Sequence, residues 1–265
     1  MKKLFLIAAA LFTAISFNAC TNDDHENSSG HTGIVSRIIQ QDENGSTYFY
    51  KFDYDDQGRV IKIYILEDDY TTCFSYTYTT EKVEITETGT IDGTDEYRSI
   101  HLATLNEQGY IATLKWDTGH ADPATYNFFY DKNGCLSKAQ SDFTSIWELQ
   151  YTWNNGDLIN EHHPSWMGGW NYEYTSYPAK QSINIFSCIW GYRYEVDIFP
   201  INVADLIGRR SAHLIKSANI PYDEYDNRSF SYEFDSNGNP TKITKIRTNK
   251  MTSKCETTTY RIFYE

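Results

Sequence analysis

Alternation of period two runs through much of the chain. In Tyr50-Lys51-Phe52-Asp53-Tyr54 the aromatic residues face one way, while Lys51, Asp53 and Asp55 face the other. Tyr232 and Phe234 alternate in the same way with Ser231, Glu233 and Asp235. Such a pattern marks a strand with one buried face and one wet face. Each of these strands runs into a turn, Asp55-Asp56-Gln57-Gly58 in the first case and Asp235-Ser236-Asn237-Gly238 in the second, and a second β-rich strand follows. The unit recurs at Tyr126 to Leu136 around Asp131-Lys132-Asn133-Gly134, with weaker copies at Asn106 to Gly109 and Asn154 to Gly156. An Asp or Asn side chain can bond the backbone two residues on, and a glycine three residues later accepts positive φ, so each unit reads as a β-hairpin. With degenerate turns near Thr80-Glu81 and Ala179-Lys180, the turns return about every 22 to 28 residues, the spacing of consecutive antiparallel hairpins.

The fold expected is all-β: an antiparallel meander of repeated hairpins in a barrel-like or strongly curved sheet. A sheet with one apolar face must close on itself or be covered. One stretch departs from the pattern. Val203, Leu206, Ile207, Leu214 and Ile215 recur near helical spacing, which predicts one short helix near 201–216 that plugs or caps the sheet. Composition agrees with a strand-rich chain, since 16% of residues are aromatic, 22 of them Tyr, against 3 Met and 6 Pro.

The N-terminal segment is of another kind. Met1-Lys2-Lys3 precedes an apolar run from Leu4 to Phe17 and then Asn18-Ala19-Cys20, the order of a secretory signal. The run is shorter than the roughly 18 residues that span a bilayer, which favours cleavage. A small residue followed by Cys resembles the bacterial lipobox, so residues 1–19 are expected to be a signal peptide and Cys20 a lipidated N-terminus. Residues 20–33 then form a flexible tether, and 34–265 a single β domain. The acidic run Asn22-Asp23-Asp24-His25-Glu26 resembles the export signal of surface lipoproteins, and reads equally as a solvated tether. Beyond residue 19 there are 21 lysines and arginines against 36 aspartates and glutamates, a formal charge of −15, which repels phosphate backbones and excludes nucleic acid as a partner. The expected location is the cell envelope, lipid-anchored to the outer membrane, periplasmic or surface-exposed.

Three segments point to a family. The stretch Tyr232 to Ile243, with its Tyr-x-Phe-Asp-x-x-Gly-x-Pro-Thr-Lys-Ile pattern, the preceding Asp205 to Ser211, and the closing Thr257-Thr258-Thr259-Tyr260 together resemble a family of Bacteroidetes lipoproteins of unknown function. The resemblance covers roughly Ile34 to Glu265 and implies a porin-like β fold and an envelope location. It brings no catalytic residues with it. The Tyr-Asp-x-x-Gly unit is also similar to the YD repeats of large secreted shell proteins. A membrane-spanning pore would need an apolar band on its outer face, which a mean hydropathy of −0.58 and a charged wet face argue against.

Candidate chemistry is sparse. Asp117, His120 and Asp122 lie close together, and Glu161-His162-His163 offers three donors in a row, but neighbours on a strand face opposite sides and cannot easily share one ion. No nucleophile elbow and no glycine-rich phosphate loop is present, so neither an enzyme nor a cofactor is indicated. Cys73, Cys135, Cys188 and Cys255 have no CxxC spacing and read as small apolar residues, although an oxidising envelope allows one disulfide. The richest aromatic patch is Trp166-Met167-Gly168-Gly169-Trp170-Asn171-Tyr172. Its glycines predict a loop, and Trp166, Trp170 and Tyr172 are the candidate contacts for a glycan, peptide or lipid ligand. The expected role is a non-enzymatic binding or structural module, with an envelope hydrolase and an outer-membrane pore as alternatives.

Overall fold

The structure is a computed structural model and describes residues 33–67, 70–91, 95–116, 124–142, 148–164, 168–190, 199–220 and 227–265. Residues 31–265 form one unit. Its strands are β1 (Val35–Asp42), β2 (Thr47–Tyr54), β3 (Val60–Glu67), β4 (Tyr70–Tyr78), β5 (Lys82–Ile91), β6 (Asp95–Leu105), β7 (Ile111–Trp116) and β8 (Ala124–Tyr130). They continue as β9 (Leu136–Ser141), β10 (Glu148–Asn154), β11 (Asp157–His163), β12 (Gly168–Pro178), β13 (His213–Asn219), β14 (Asn227–Phe234), β15 (Pro240–Thr248) and β16 (Cys255–Tyr264). Among the described residues these sixteen strands each pair antiparallel with the next, and β16 pairs with β1, so the meander closes into a barrel. Closure removes every exposed edge.

Local chemistry builds one end of the barrel. Asp55 Oδ1 accepts the amides of Gln57 and Arg59, Asn106 Oδ1 those of Gln108 and Tyr110, Asp131 Oδ1 those of Asn133 and Cys135, and Asp235 Oδ1 those of Asn237 and Asn239. Three residues after each acceptor stands Gly58, Gly109, Gly134 or Gly238, with φ between +76° and +82°, where a side chain would be strained. This is the turn expected from the sequence, repeated four times at the same end.

A girdle of aromatic donors lies beneath these turns. Tyr54, Tyr78, Tyr130, Tyr174, Tyr232 and Tyr264 each donate a hydroxyl, at 2.5 to 2.9 Å, to a carbonyl at or near the start of the preceding odd-numbered strand: Val35, Val60, Ile111, Leu158, Ile215 and Pro240. Trp153 does the same to the Leu136 carbonyl at 2.7 Å. Burial pushes all six phenols well above their ordinary range, so they remain donors at any physiological pH. The repeated tyrosines are therefore clips between neighbouring strands as well as core.

Between β12 and β13 the chain does not turn straight back. Of the described residues, 179–190 and 199–212 run into the lumen and carry two short helices, α1 (Ile185–Trp190) and α2 (Phe199–Val203). Three strands, the paired β16 and β1 and the more distant β4, hold this plug. Tyr260 of β16 donates to the Ile189 carbonyl at 3.0 Å, Tyr76 of β4 to the Pro200 carbonyl at 2.9 Å, and the Val35 amide of β1 to Ser182 Oγ at 2.9 Å. Ile183, Cys188, Ile189, Ile201 and Val203 are at most 1% exposed. The single helix expected near 201–216 is thus displaced: α2 covers only its start, α1 lies ahead of it, and Leu214 and Ile215 belong to β13.

The plug identifies the inner face. Tyr260 and Tyr76 point at it, and pairing register carries that face round the barrel through Ile243, Phe52, Ile63, Phe74 and Ile85, all buried. The outer face of β4 and β5 presents Thr71, Cys73, Ser75 and Thr77, then Lys82, Glu84, Thr86, Thr88 and Thr90. On these two strands the outer face is polar, and on the plug's half of the barrel the inner face is apolar.

Candidate functional site

The inner wall changes character along its length. On β4 it passes from buried Tyr76 and Phe74 to half-buried Thr72 and then to Tyr70, 49% exposed at the end opposite the tyrosine girdle. Around the barrel the same far half carries polar and charged side chains in two groups.

The first group lies on β4 to β7. His101 is fully buried, and its Nε2 is 3.0 Å from Glu87 Oε2. Tyr97 donates to the other carboxylate oxygen at 3.2 Å, and the Thr72 hydroxyl is 3.0 Å from the Tyr97 oxygen. The imidazole lies flat on Trp116, with ring centroids 3.6 Å apart and planes 3° from parallel. Both Glu87 oxygens are engaged, so the arrangement fixes the side chains relative to one another. It joins residues 72, 87, 97, 101 and 116, a constellation that no local pattern in the chain announces.

The second group lies on β11, β12 and β14 to β16. Arg228 places its guanidinium 4.6 Å from the centre of the Trp170 ring. In register Arg228 stands directly opposite Arg247, and Lys245, two residues along, faces the same way. Lys245 Nζ donates to the Tyr260 hydroxyl at 2.7 Å and to the Ile189 carbonyl of the plug at 3.2 Å, while Arg247 approaches Glu256 at 3.5 Å. Across the strand pair, Tyr172 hydroxyl and Glu161 Oε2 are 3.5 Å apart. The wall here combines an aromatic face, cations and a carboxylate.

Of the residues singled out in the sequence, Trp170 lies in this wall, half-buried, in β12 instead of the expected loop. The reason is Gly169, whose added Cβ would sit 2.2 Å from the Glu161 carbonyl, so the glycine serves close strand approach. Tyr172 is also on the inner face but is buried edge-on against Phe186 of α1, at 5.8 Å, and is packed into the plug. Glu161 and His163 face inward and His162 is exposed on the other side, so the three do not converge. Trp166, the Asp117, His120 and Asp122 group, and Cys20 lie outside the described residues. The four cysteines Cys73, Cys135, Cys188 and Cys255 are free thiols, with Cys135 and Cys188 buried and Cys255 exposed.

Two features of the plug were not foreseen. Asp157 accepts both the amide and Nδ1 of His213, at 3.0 and 2.8 Å, and so locks the point where the plug rejoins the wall. Asp205 is held at φ 56°; about a third of its side chain meets solvent, yet Oδ1 is enclosed and finds no donor among the described residues. Burial raises its carboxyl to about 6 against the opposing pull of Arg210, 3.5 Å away. A cavity of about 100 Å³ separates the plug from the wall, lined by Tyr151, Glu161, Phe186, Arg210 and Ser211 among others. It is well below the several hundred Å³ usual for a ligand site.

A family model described as "Domain of unknown function (DUF4595) with porin-like fold" matches residues 64–242, more than half of the chain. The chain belongs to this DUF4595 family. As a family member it shares its fold with solved structures. A porin-like protein from Bacteroides uniformis superimposes with a TM-score of 0.66 at 16% identity, over 88% of this chain and 98% of that one. A porin-like protein from Bacteroides vulgatus gives 0.55 at 14% identity, over 88% and 99%. No curated protein sequence matches the chain.

Proposed function

We propose that this family member is a non-enzymatic binding module of the cell envelope, held at a membrane by a lipid on Cys20, with a glycan as its ligand. The observation that carries the reading is the half-buried Trp170 indole capped by Arg228 on the solvent-reaching half of the inner wall. An indole face stacks on the apolar face of a sugar ring, and flanking guanidinium and carboxylate groups hydrogen-bond its hydroxyls. A lipid tail would find too many charges here, and the closed sheet offers a peptide no edge to extend. Trp166 and Tyr172 belong to the same proposal, Tyr172 as support for the wall.

Conduction is the weaker reading. The plug occupies the lumen, and outward residues such as Lys82, Glu84 and Lys115 interrupt the apolar band that lipid contact requires. Glycan-array binding of the wild type, Trp170→Ala and the Trp166→Ala/Trp170→Ala pair tests the binding reading. Binding should fall more than about tenfold in both variants, from the loss of stacking, while the melting temperature holds within a few degrees. Equal binding by the double variant would overturn it. Palmitate labelling compared with Cys20→Ala tests the anchor separately, and unchanged labelling in the variant would remove it.

A further inference from the structure

The outer wall carries a surface of its own where the chain enters the barrel. Register places Phe263, Arg37, Lys51 and Tyr64 in one cross-strand row over β16, β1, β2 and β3, and Arg261, Ile39, Phe49 and Leu66 in the next. Phe49 and Leu66 are direct partners and are 41% and 47% exposed. Arg37 lies over the Phe263 ring at 4.2 Å, and Lys51 and Lys62 flank Tyr64 at 5.3 and 5.9 Å. On the outward positions of these four strands Arg37, Lys51, Lys62 and Arg261 face a single carboxylate, Asp53, which Lys51 engages at 3.0 Å. A basic and aromatic face on a chain of net charge −13 is not a consequence of composition.

We propose that this β16–β3 face lies on a membrane surface bearing anionic phospholipid headgroups. Lysine and arginine stems run along apolar surface and deliver their charge to phosphates, while Phe49, Leu66, Tyr64 and Phe263 rest at the headgroup level. Position singles out this face. The chain enters the barrel through β1, a middle strand of the patch, and the 13 residue steps from Cys20 to Gly33 span at most about 45 Å. A second outer cluster, with Leu102 opposite Lys115 and Phe129 opposite Lys138, lies on β6 to β9, remote from that entry. The proposal takes its direction from the envelope reading above, but the patch is testable without the lipid.

The test uses residues 21–265, which keep every strand and the closing β1–β16 pair. Co-sedimentation with vesicles containing phosphatidylglycerol is compared with pure phosphatidylcholine vesicles across a salt series. Binding should require the anionic lipid and weaken as salt rises. Arg37→Gln/Lys51→Gln/Lys62→Gln should weaken it roughly a hundredfold, at about fivefold per charge. Lys115→Gln/Lys138→Gln/Lys216→Gln should leave it unchanged, with both triple variants melting as the wild type does. Indifference to lipid charge, wild-type binding by the first variant, or equal loss in the second would each overturn the proposal. The anchor reading stands or falls on palmitate labelling alone.

Discussion

The two halves of the lumen are built on opposite principles. Beneath the tyrosine girdle, Ile183, Ile189, Ile201 and Val203 of the plug join Phe52, Ile63, Phe74 and Ile243 of the wall in one buried apolar cluster, and polar groups such as Tyr54 and Tyr76 pin strands and plug together. In the far half, Glu87, Glu161, Arg228, Lys245 and Arg247 replace apolar neighbours on the same strands. The wall is continuous, and only the identity of every second residue changes. The first half holds the fold, and the second is free to specify what the barrel meets.

Substitutions should separate these roles. The largest loss is expected for Ile201→Ala, which opens a cavity where exposure is nil, at about 3 kcal/mol and roughly 10 °C in melting temperature. Calorimetry showing a shift below about 3 °C would mean that the plug packs loosely. Next comes Tyr78→Phe, which strands the Val60 carbonyl and should cost about 1 to 2 kcal/mol in urea unfolding. Tyr70→Phe, at the exposed far end, should cost nothing measurable, and equal losses at both sites would erase the distinction.

Asp205 gives a smaller, pH-dependent effect. Its folded carboxyl titrates near 6 instead of the ordinary 3.8, so ionisation opposes folding above pH 6, and the penalty disappears as pH falls toward 4. Asp205→Asn should therefore stabilise the protein at pH 8 by about 1 kcal/mol after solvent screening, and by little at pH 4. A stabilisation that grows on acidification would reverse the sign of the account. Trp170→Ala, which removes a half-buried indole, should register chiefly in binding, with the melting temperature held within a few degrees.

Legibility in the sequence follows the range of the interactions. The turns at Gly58, Gly109, Gly134 and Gly238 could be read because acceptor, amides and glycine lie within five residues. Alternation then implied a closed or covered sheet, which β1–β16 pairing supplies. The plug was half legible. Val203, Leu206, Ile207, Leu214 and Ile215 are indeed all buried, the first three inside the barrel and the last two in its β13 wall, so burial in two different settings imitated helical spacing. Gly168-Gly169 suggested a loop because a glycine forced by strand approach looks the same as one needed for a turn. The pairing of Arg228 with Trp170 and of His101 with Glu87 and Trp116 depends on register between distant segments, which one sequence does not display.

The central claim is that α1 and α2 occupy the lumen, and the native thiols test it. Cys188 on α1 has no exposed surface, and burial raises its thiol well above the ordinary range, whereas Cys255 is exposed on β16. Mass spectrometry after alkylation of the folded protein should find Cys255 modified within minutes and Cys188 only after denaturation. Modification of Cys188 at the rate of Cys255 would place the plug outside the barrel and contradict the account.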